Sequence, residues 1–197
     1  MAPLLALAMV LAAPPSSPPR PSSAALRRAF EAGERALVEV HGRRPGGAGV
    51  LVGAQGQVLT ALRFVDEEGV NVRLGATVLG AKLLLRSSTL RVAVLDVVGD
   101  GPYPAMAVQL EPPEAGAWVV GVAPGRTGAA QASLGRVLHV PDAAHPWLET
   151  SLPLPPGCPV LDAHGRLLGV VVEQRPGGSL AAPVPAVRAA LETAVTR

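Results

Sequence analysis

The side chains best suited to covalent or metal chemistry in this sequence are few. They are one cysteine, Cys158, and four histidines, His41, His139, His145 and His164. A single cysteine cannot form a disulfide within the chain, and it has no Cys or His partner at the spacing of a metal site. The histidines form no ligand motif either, so we predict no metal and no cofactor. A lone cysteine is most often a small packed hydrophobic residue.

The cysteine lies in a proline-rich segment, LPLPPGCPV at 152–160. Pro155 and Pro156 are adjacent, so two consecutive residues lack a backbone N–H. The segment separates two stretches that we predict to be strands. A loop between these strands has therefore lost hydrogen-bond donors that most loops possess.

Composition indicates a folded, mostly apolar domain. The chain is 49% hydrophobic and 16% charged, which is too apolar for a disordered protein. Its 22 glycines and 21 prolines favour many short elements joined by turns. The formal net charge is only +2, and the arginines are scattered rather than clustered with aromatic residues. We therefore predict that the protein does not bind nucleic acid.

Residues 1–22 are typical of a leader followed by a linker. The apolar run at 4–13 is too short to span a membrane but fits the hydrophobic region of a signal peptide. The Pro/Ser-rich stretch at 14–22 is typical of a disordered or polyproline linker. We predict export to the periplasm or the medium, without stable membrane insertion after the leader is removed. Cleavage of the leader stays open, with an uncleaved anchor as the alternative.

The elements that must position any site are mainly strands. Ser23 is predicted to cap a short helix that ends near Ala36, after which the hydrophobic period changes to two. We predict about six strands at 36–99, a break, and about six more at 104–184. A closing helix is expected at 185–196. Two similar sets of short strands favour two barrels side by side.

Five segments of the chain occur in an order that resembles a known family. They are GAGVLVGAQGQVLTALRFV, LRVAVLDV, AGAWVVGVAPG, LETSLPLPPGCPVLDAHGRLLGVVVE and SLAAPVPAV. The chain resembles the trypsin-like serine proteases of the bacterial HtrA/Deg type over about residues 36–191. The resemblance implies one all-β domain at 23–197: two six-stranded antiparallel Greek-key barrels with short terminal helices and an active-site cleft between the barrels. The chain ends soon after the closing helix, so we do not expect the PDZ domain often appended in this family.

The resemblance also implies that the catalytic triad has been replaced. The family's histidine corresponds to Arg63, its aspartate to Arg91 and its serine to Pro156. Arginine stays protonated and cannot act as a base, and proline carries no nucleophile. The family's oxyanion donors, the serine N–H and the N–H two residues earlier, correspond to Pro156 and Leu154. Pro156 has no N–H, and loss of one such donor lowers the rate by roughly a hundredfold or more.

Two local alternatives stay open at this point. Cys158 is an alternative nucleophile, but it needs a base, and no histidine occupies the matching position. His164 lies in the following turn and is expected to project away from the cleft. Arg63 and Arg91 are expected to face the same cleft, where they are either solvated or share an anion. Candidates for that anion are Asp66, Glu67 and a ligand carboxylate.

The sequence therefore supports three functions. The favoured one is a catalytically inactive peptidase-fold protein that binds a peptide or protein segment in the inter-barrel cleft, as an added strand. The alternative is an active serine-type or Cys158-dependent endopeptidase. The third is a decayed paralogue without a selected role. The identity of a partner and the oligomeric state stay open.

Overall fold

The fold class predicted from the sequence is confirmed. The structure, a computed structural model, describes residues 18–42, 46–66, 69–125 and 128–195, and the predicted leader falls largely outside these ranges. The described strands form two closed six-stranded antiparallel barrels, with one α-helix before the first barrel and one after the second. No helix among the described residues is long and apolar enough to span a membrane.

The strands of the first barrel show two burial patterns: β4 alternates between buried and exposed side chains, whereas β2, β3 and β6 are buried along almost their whole length. Val70 and Val72 are buried, whereas Asn71 and Arg73 between and beside them are exposed. The strands close in the order β1-β2-β3-β6-β5-β4. They are β1 (Leu37–His41), β2 (Gly47–Leu51), β3 (Gln57–Ala61), β4 (Val70–Leu74), β5 (Thr77–Ser87) and β6 (Val92–Val97), and a 3₁₀ turn (Leu62–Phe64) follows β3.

The second barrel closes in the order β10-β11-β12-β9-β8-β7. Its strands are β7 (Trp118–Pro124), β8 (Ala130–His139), β9 (Leu148–Thr150), β10 (Pro159–Asp162), β11 (Leu167–Arg175) and β12 (Gly178–Pro183). The first six residues of β11 are all buried, because one face lines this barrel and the other packs towards β3 of the first barrel. Strand β11 thus forms part of the wall between the barrels.

The two helices match the prediction except at the first cap. Helix α1 (Ser23–Ala36) is capped by Ser22, whose hydroxyl accepts a hydrogen bond from the Ala25 N–H at 3.2 Å. The predicted cap, Ser23, is instead the first helical residue. Helix α2 (Val184–Val195) begins one residue before the predicted Pro185 and buries Val187.

The segment between the barrels bonds to both of them. The Met106 N–H donates to the Leu51 carbonyl of the first barrel at 2.9 Å. The Gln109 N–H donates to the Leu167 carbonyl of the second barrel at 2.8 Å. These bonds hold the two barrels in a fixed relation, which is the condition for a defined cleft between them.

Candidate functional site

Arg63 and Arg91, the residues predicted from the sequence at the family's base and acid positions, lie together in the structure. Arg63 sits in the 3₁₀ turn after β3, and Arg91 directly precedes β6. The Leu62 N–H donates to the Arg91 carbonyl at 2.9 Å, which ties the two segments to each other. Both arginines line one cavity of about 300 Å³, together with Ala61, Leu62, Val65, Asp66, Arg86 and Val172.

Arg91 is held by an ion pair that crosses between the barrels. Its guanidinium donates to the Glu173 carboxylate of β11 at 2.5 Å, and Arg175 donates to the same carboxylate at 3.1 Å. The hydrogen bond from Arg91, and then that from Arg175, lowers the pKa of Glu173 below its ordinary value. Arg91 is also the one non-glycine residue in the described ranges with a positive φ, at 59°. The anion expected near Arg91 is therefore Glu173, a residue that the sequence analysis did not consider.

The remaining charges of this cavity are mostly positive. Arg63 and Arg86 are exposed, and neither makes an ion pair with any described residue. Asp66 is the acidic residue in the cavity lining; Glu67, the other candidate anion, lies outside the described residues. Because Arg91 is already paired with Glu173, Arg63 and Arg86 are the two guanidinium groups of this cavity that are suited to hold an anionic group.

Pro156, the residue predicted at the family's serine position, lines a second cavity. Pro156, between β9 and β10, faces a space of about 330 Å³ whose wall comes from both barrels. The lining residues are Glu39, His41, Gly46, Gly47, Ala48, Phe64, Pro124, Pro155, Pro156 and Cys158. The sequence predicted that all three positions face one cleft; Arg63 and Arg91 line one cavity, and Pro156 lines a neighbouring one. Consecutive residues of the 3₁₀ turn separate them, since Arg63 lines one cavity and Phe64 lines the other.

Neither residue that corresponds to an oxyanion donor has a free N–H. Pro156 has none, and the Leu154 N–H donates to the Leu152 carbonyl at 2.9 Å. The next amide, that of Gly157, donates to the Val171 carbonyl of β11 at 2.7 Å. The sequence predicted the loss of one donor. The loop geometry also uses the other one internally, so this loop offers no pair of convergent donors.

Gly157 explains how closely this loop approaches the first barrel. Its φ is +85°, and a Cβ at this position would collide with the carbonyl group of Ala48 in β2. The same Ala48 carbonyl accepts a hydrogen bond from the buried Thr60 hydroxyl at 2.7 Å. Backbone of the second barrel thus rests directly on backbone of the first, a contact that needs a residue without a side chain.

The alternative nucleophile, Cys158, is fully buried. Burial raises the pKa of its thiol to about 12, so the thiol stays protonated at neutral pH. His41 lines the same cavity, and its Nε2 lies 3.2 Å from the Glu39 carboxylate. However, no hydrogen bond joins the thiol to His41 or to another described residue. Sequence reasoning missed His41 because it lies at the end of β1, far along the chain from the family's histidine.

The other histidines lie outside the lining of these two cavities, His139 at the end of β8 and His145 and His164 in loops. His164 occupies the turn after β10, where its N–H donates to the Asp162 carboxylate at 2.8 Å. His139 and His145, which show no ligand motif in the sequence, come together with Asp142. The ligand atoms of these three residues all lie within 4.8 Å of one another.

Comparison with known proteins agrees with this geometry. The family model described as "Trypsin-like peptidase domain" matches residues 47–170, more than half of the chain. A serine endoprotease from Yersinia pestis superposes with a TM-score of 0.77 at 19% identity, over 90% of this chain and 68% of that one. A Mycobacterium tuberculosis protein, solved in an inactive form with a serine-to-alanine substitution, superposes with a TM-score of 0.73 at 20% identity. That superposition covers 90% of this chain and 96% of the other.

No curated protein matches the chain by sequence. At these identities the solved structures establish the fold, and the family model establishes the relationship. The resemblance to trypsin-like proteases, predicted from five segments, is thereby confirmed. The chain belongs to the trypsin-like peptidase family.

Proposed function

We propose that this protein is a catalytically inactive member of its family that binds an acidic peptide or protein segment in the inter-barrel cleft. The observation that carries the proposal is that Arg63 and Arg91, the residues predicted at the family's base and acid positions, line the same cavity. These two arginines line one cavity with Arg86. The cavity therefore presents fixed positive charge where the sequence analysis expects the family's proton-transfer residues.

The chemistry of these residues argues against acyl transfer. A guanidinium cannot take a proton from a nucleophile at any physiological pH, and a second guanidinium cannot stabilise a protonated base. Pro156 has neither a hydroxyl nor an N–H. With the Leu154 N–H bonded to Leu152, the loop offers no oxyanion site either.

The same residues favour a carboxylate ligand. Arginine binds carboxylates through two parallel N–H groups, and Arg63 and Arg86 are not engaged with a described acidic residue. The register of β11 against β12 shifts between Val171 and Glu173, and the intervening Val172 lines the arginine cavity. Such a bulge leaves backbone groups unpaired beside the cleft, where an extended peptide can add as a strand. An acidic side chain or a free C-terminus of that peptide would then reach the arginines.

Fluorescence polarisation with labelled peptides tests the proposal. The peptides are an acidic one with a free C-terminus, its C-terminally amidated form and a lysine-substituted form. Arg63→Ala and Arg86→Ala are each expected to weaken acidic-peptide binding by about tenfold, because a charged hydrogen bond contributes about 1.5–3 kcal/mol. Arg28→Ala, which removes an exposed arginine of α1, is the matched control and should leave affinity unchanged.

Equal binding of the acidic and lysine-substituted peptides would contradict the proposal, as would full affinity in the Arg63→Ala/Arg86→Ala double variant. The amidated peptide separates the two sources of the carboxylate. If amidation abolishes binding, the ligand is a protein C-terminus. If it does not, an internal acidic side chain is recognised.

A Cys158-dependent endopeptidase is the second candidate, because His41 and Cys158 line one cavity and Glu39 lies beside His41. The raised thiol pKa and the absence of a hydrogen bond between the thiol and His41 speak against it. A cysteine-directed activity probe distinguishes the candidates. The endopeptidase predicts labelling of the folded protein that Cys158→Ala and His41→Ala both abolish, whereas the inactive protein predicts none.

We also propose that the protein is exported, as the apolar run at 4–13 suggests. The test is expression of the full chain in a bacterial host, followed by fractionation and N-terminal sequencing. Export predicts mature protein in the periplasm or the medium with the apolar run removed. Recovery of the intact chain solely from the cytoplasm would contradict it.

A further inference from the structure

We propose that the loop between β8 and β9 binds a divalent transition-metal ion, with Zn²⁺ as the expected occupant. The ligands are His139, Asp142 and His145, in the spacing His-x-x-Asp-x-x-His. This site is separate from both cavities described above and does not depend on the proposed function.

The three side chains converge in a way that the spacing alone does not require. The His139 Nε2 lies 3.2 Å from Oδ2 of Asp142, and the His145 Nδ1 lies 3.8 Å from Oδ1 of the same carboxylate. The two imidazole rings meet edge to face, with centroids 5.5 Å apart and planes at 78°. All three ligand atoms lie within 4.8 Å of one another. A tetrahedral ion with bonds of about 2.1 Å needs separations of about 3.5 Å, which a small rotation of the exposed His145 side chain would provide.

The carboxylate is already held in position by the loop backbone. Its Oδ1 accepts hydrogen bonds from the Ala144 and His145 N–H groups, both at 2.8 Å, and the Asp142 N–H donates to the His145 carbonyl at 2.9 Å. These amide bonds fix the orientation of the carboxylate. Because the amide bonds engage Oδ1, the other carboxylate oxygen, Oδ2, is left facing His139. Hydrogen bonds of this kind orient metal ligands in known sites.

A buried nitrogen gives an independent reason to expect a cation here. The His139 Nε2 is shielded from solvent and makes no hydrogen bond with a described group, although a carboxylate oxygen is 3.2 Å away. When the imidazole is protonated, Asp142 is its ion-pair partner, but when it is neutral this nitrogen has no hydrogen-bond donor opposite it. A neutral imidazole presents a lone pair at such a nitrogen, and the carboxylate oxygen opposite presents another. A cation between them satisfies both.

The donor set selects the kind of metal. Two imidazoles and one carboxylate suit Zn²⁺, Cu²⁺, Ni²⁺ and Co²⁺, whereas Ca²⁺ and Mg²⁺ prefer sites built only of oxygen atoms. Three protein ligands leave at least one position of a tetrahedral ion for water. Because Asp142 and His145 are exposed, an ion can enter from solvent without an opening of the fold.

Calorimetric titration of the full chain with Zn²⁺ tests the proposal, after removal of any histidine tag and treatment with a chelator. We expect one ion per chain with a Kd of about 10 μM or tighter. His139→Ala and Asp142→Asn should each weaken binding at least tenfold. The matched controls are His164→Ala and His41→Ala, which also remove a histidine near a carboxylate and should leave the affinity unchanged.

His145→Ala removes a proposed ligand with little risk of unfolding the protein, because this side chain is 70% exposed. Circular dichroism of each variant confirms that it is folded. Binding of Co²⁺ should produce visible absorption bands that Zn²⁺ removes and Ca²⁺ does not. The proposal is overturned if the wild type binds no Zn²⁺ in this range. It is also overturned if folded His145→Ala and Asp142→Asn proteins retain wild-type affinity, or if His164→Ala or His41→Ala lowers the affinity equally.

Discussion

Gly157 provides a direct test of how the second barrel rests on the first. A Cβ at this position would meet the backbone carbonyl of Ala48, and backbone atoms cannot rotate away as a flexible side chain can. Gly157→Ala therefore has two effects. It places an L-residue at a φ of +85°, and it forces the loop before β10 away from β2.

Gly177 separates these two effects. It has a φ of +82°, close to that of Gly157, but nothing lies within 4 Å of the position of its Cβ. Gly177→Ala should therefore cost only the strain of a left-handed alanine, about 1–2 kcal/mol of unfolding free energy. Gly157→Ala should cost this plus an overpacking penalty of about 1–3 kcal/mol. The expected difference between the two variants is about 2 kcal/mol.

Urea unfolding followed by circular dichroism measures both values, with equal denaturant slopes as the check that the unfolded states are comparable. A larger loss in Gly157→Ala than in Gly177→Ala is the expected result. If the two variants lose the same free energy within about 0.5 kcal/mol, the close contact between Gly157 and Ala48 does not exist in solution.

Two other predictions concern the ionisable groups of the cleft. Burial raises the pKa of the Cys158 thiol to about 12, so at pH 8 it should react with a thiol reagent far more slowly in the folded protein than in urea. In the unfolded protein one equivalent of the reagent should react. Rapid reaction of the folded protein would contradict the burial of Cys158. Glu173→Gln should lower stability at pH 7 by at most about 1 kcal/mol, because Arg91 and Glu173 are 43% and 33% exposed. Since the pKa of Glu173 is lowered from an ordinary value of 4.5, its contribution is complete above that pH and is lost as the pH falls through the lower folded value. The unfolding free energies of the wild type and of Glu173→Gln should therefore converge as the pH is lowered. If the difference between the two proteins stays constant down to acid pH, the ion pair between Arg91 and Glu173 is not the source of that difference.

The barrels could be predicted because their signals are local. Alternation such as that of Val70 to Arg73 specifies which face of a strand is buried, and turns rich in glycine and proline mark the strand ends. The predicted cap of helix α1 was wrong by one residue, because Ser22 and Ser23 are the same residue type and the sequence does not distinguish them. Backbone geometry decides between them: Ser22 is extended, with a ψ of 157°, and Ser23 is already helical.

The contacts of the candidate site could not be predicted, because they join distant parts of the chain. Arg91 and Glu173 are 82 residues apart, and no sequence pattern relates them. The hydrogen bond from the Leu154 N–H to the Leu152 carbonyl depends on the conformation of one tight turn. His139, Asp142 and His145 are regularly spaced. Outside a helix, however, such spacing does not determine distance, and the loop backbone brings their ligand atoms together.

We propose that Arg63, Arg91 and Pro156, the residues predicted at the family's catalytic positions, cannot support peptide hydrolysis. The most direct measurement is mass spectrometry of a peptide library incubated with the purified full-length protein, beside a Cys158→Ala variant and a no-protein control. We predict identical peptide profiles in all three samples. New cleavage products that appear with the wild-type protein, and that increase with its concentration across independent preparations, would contradict the account.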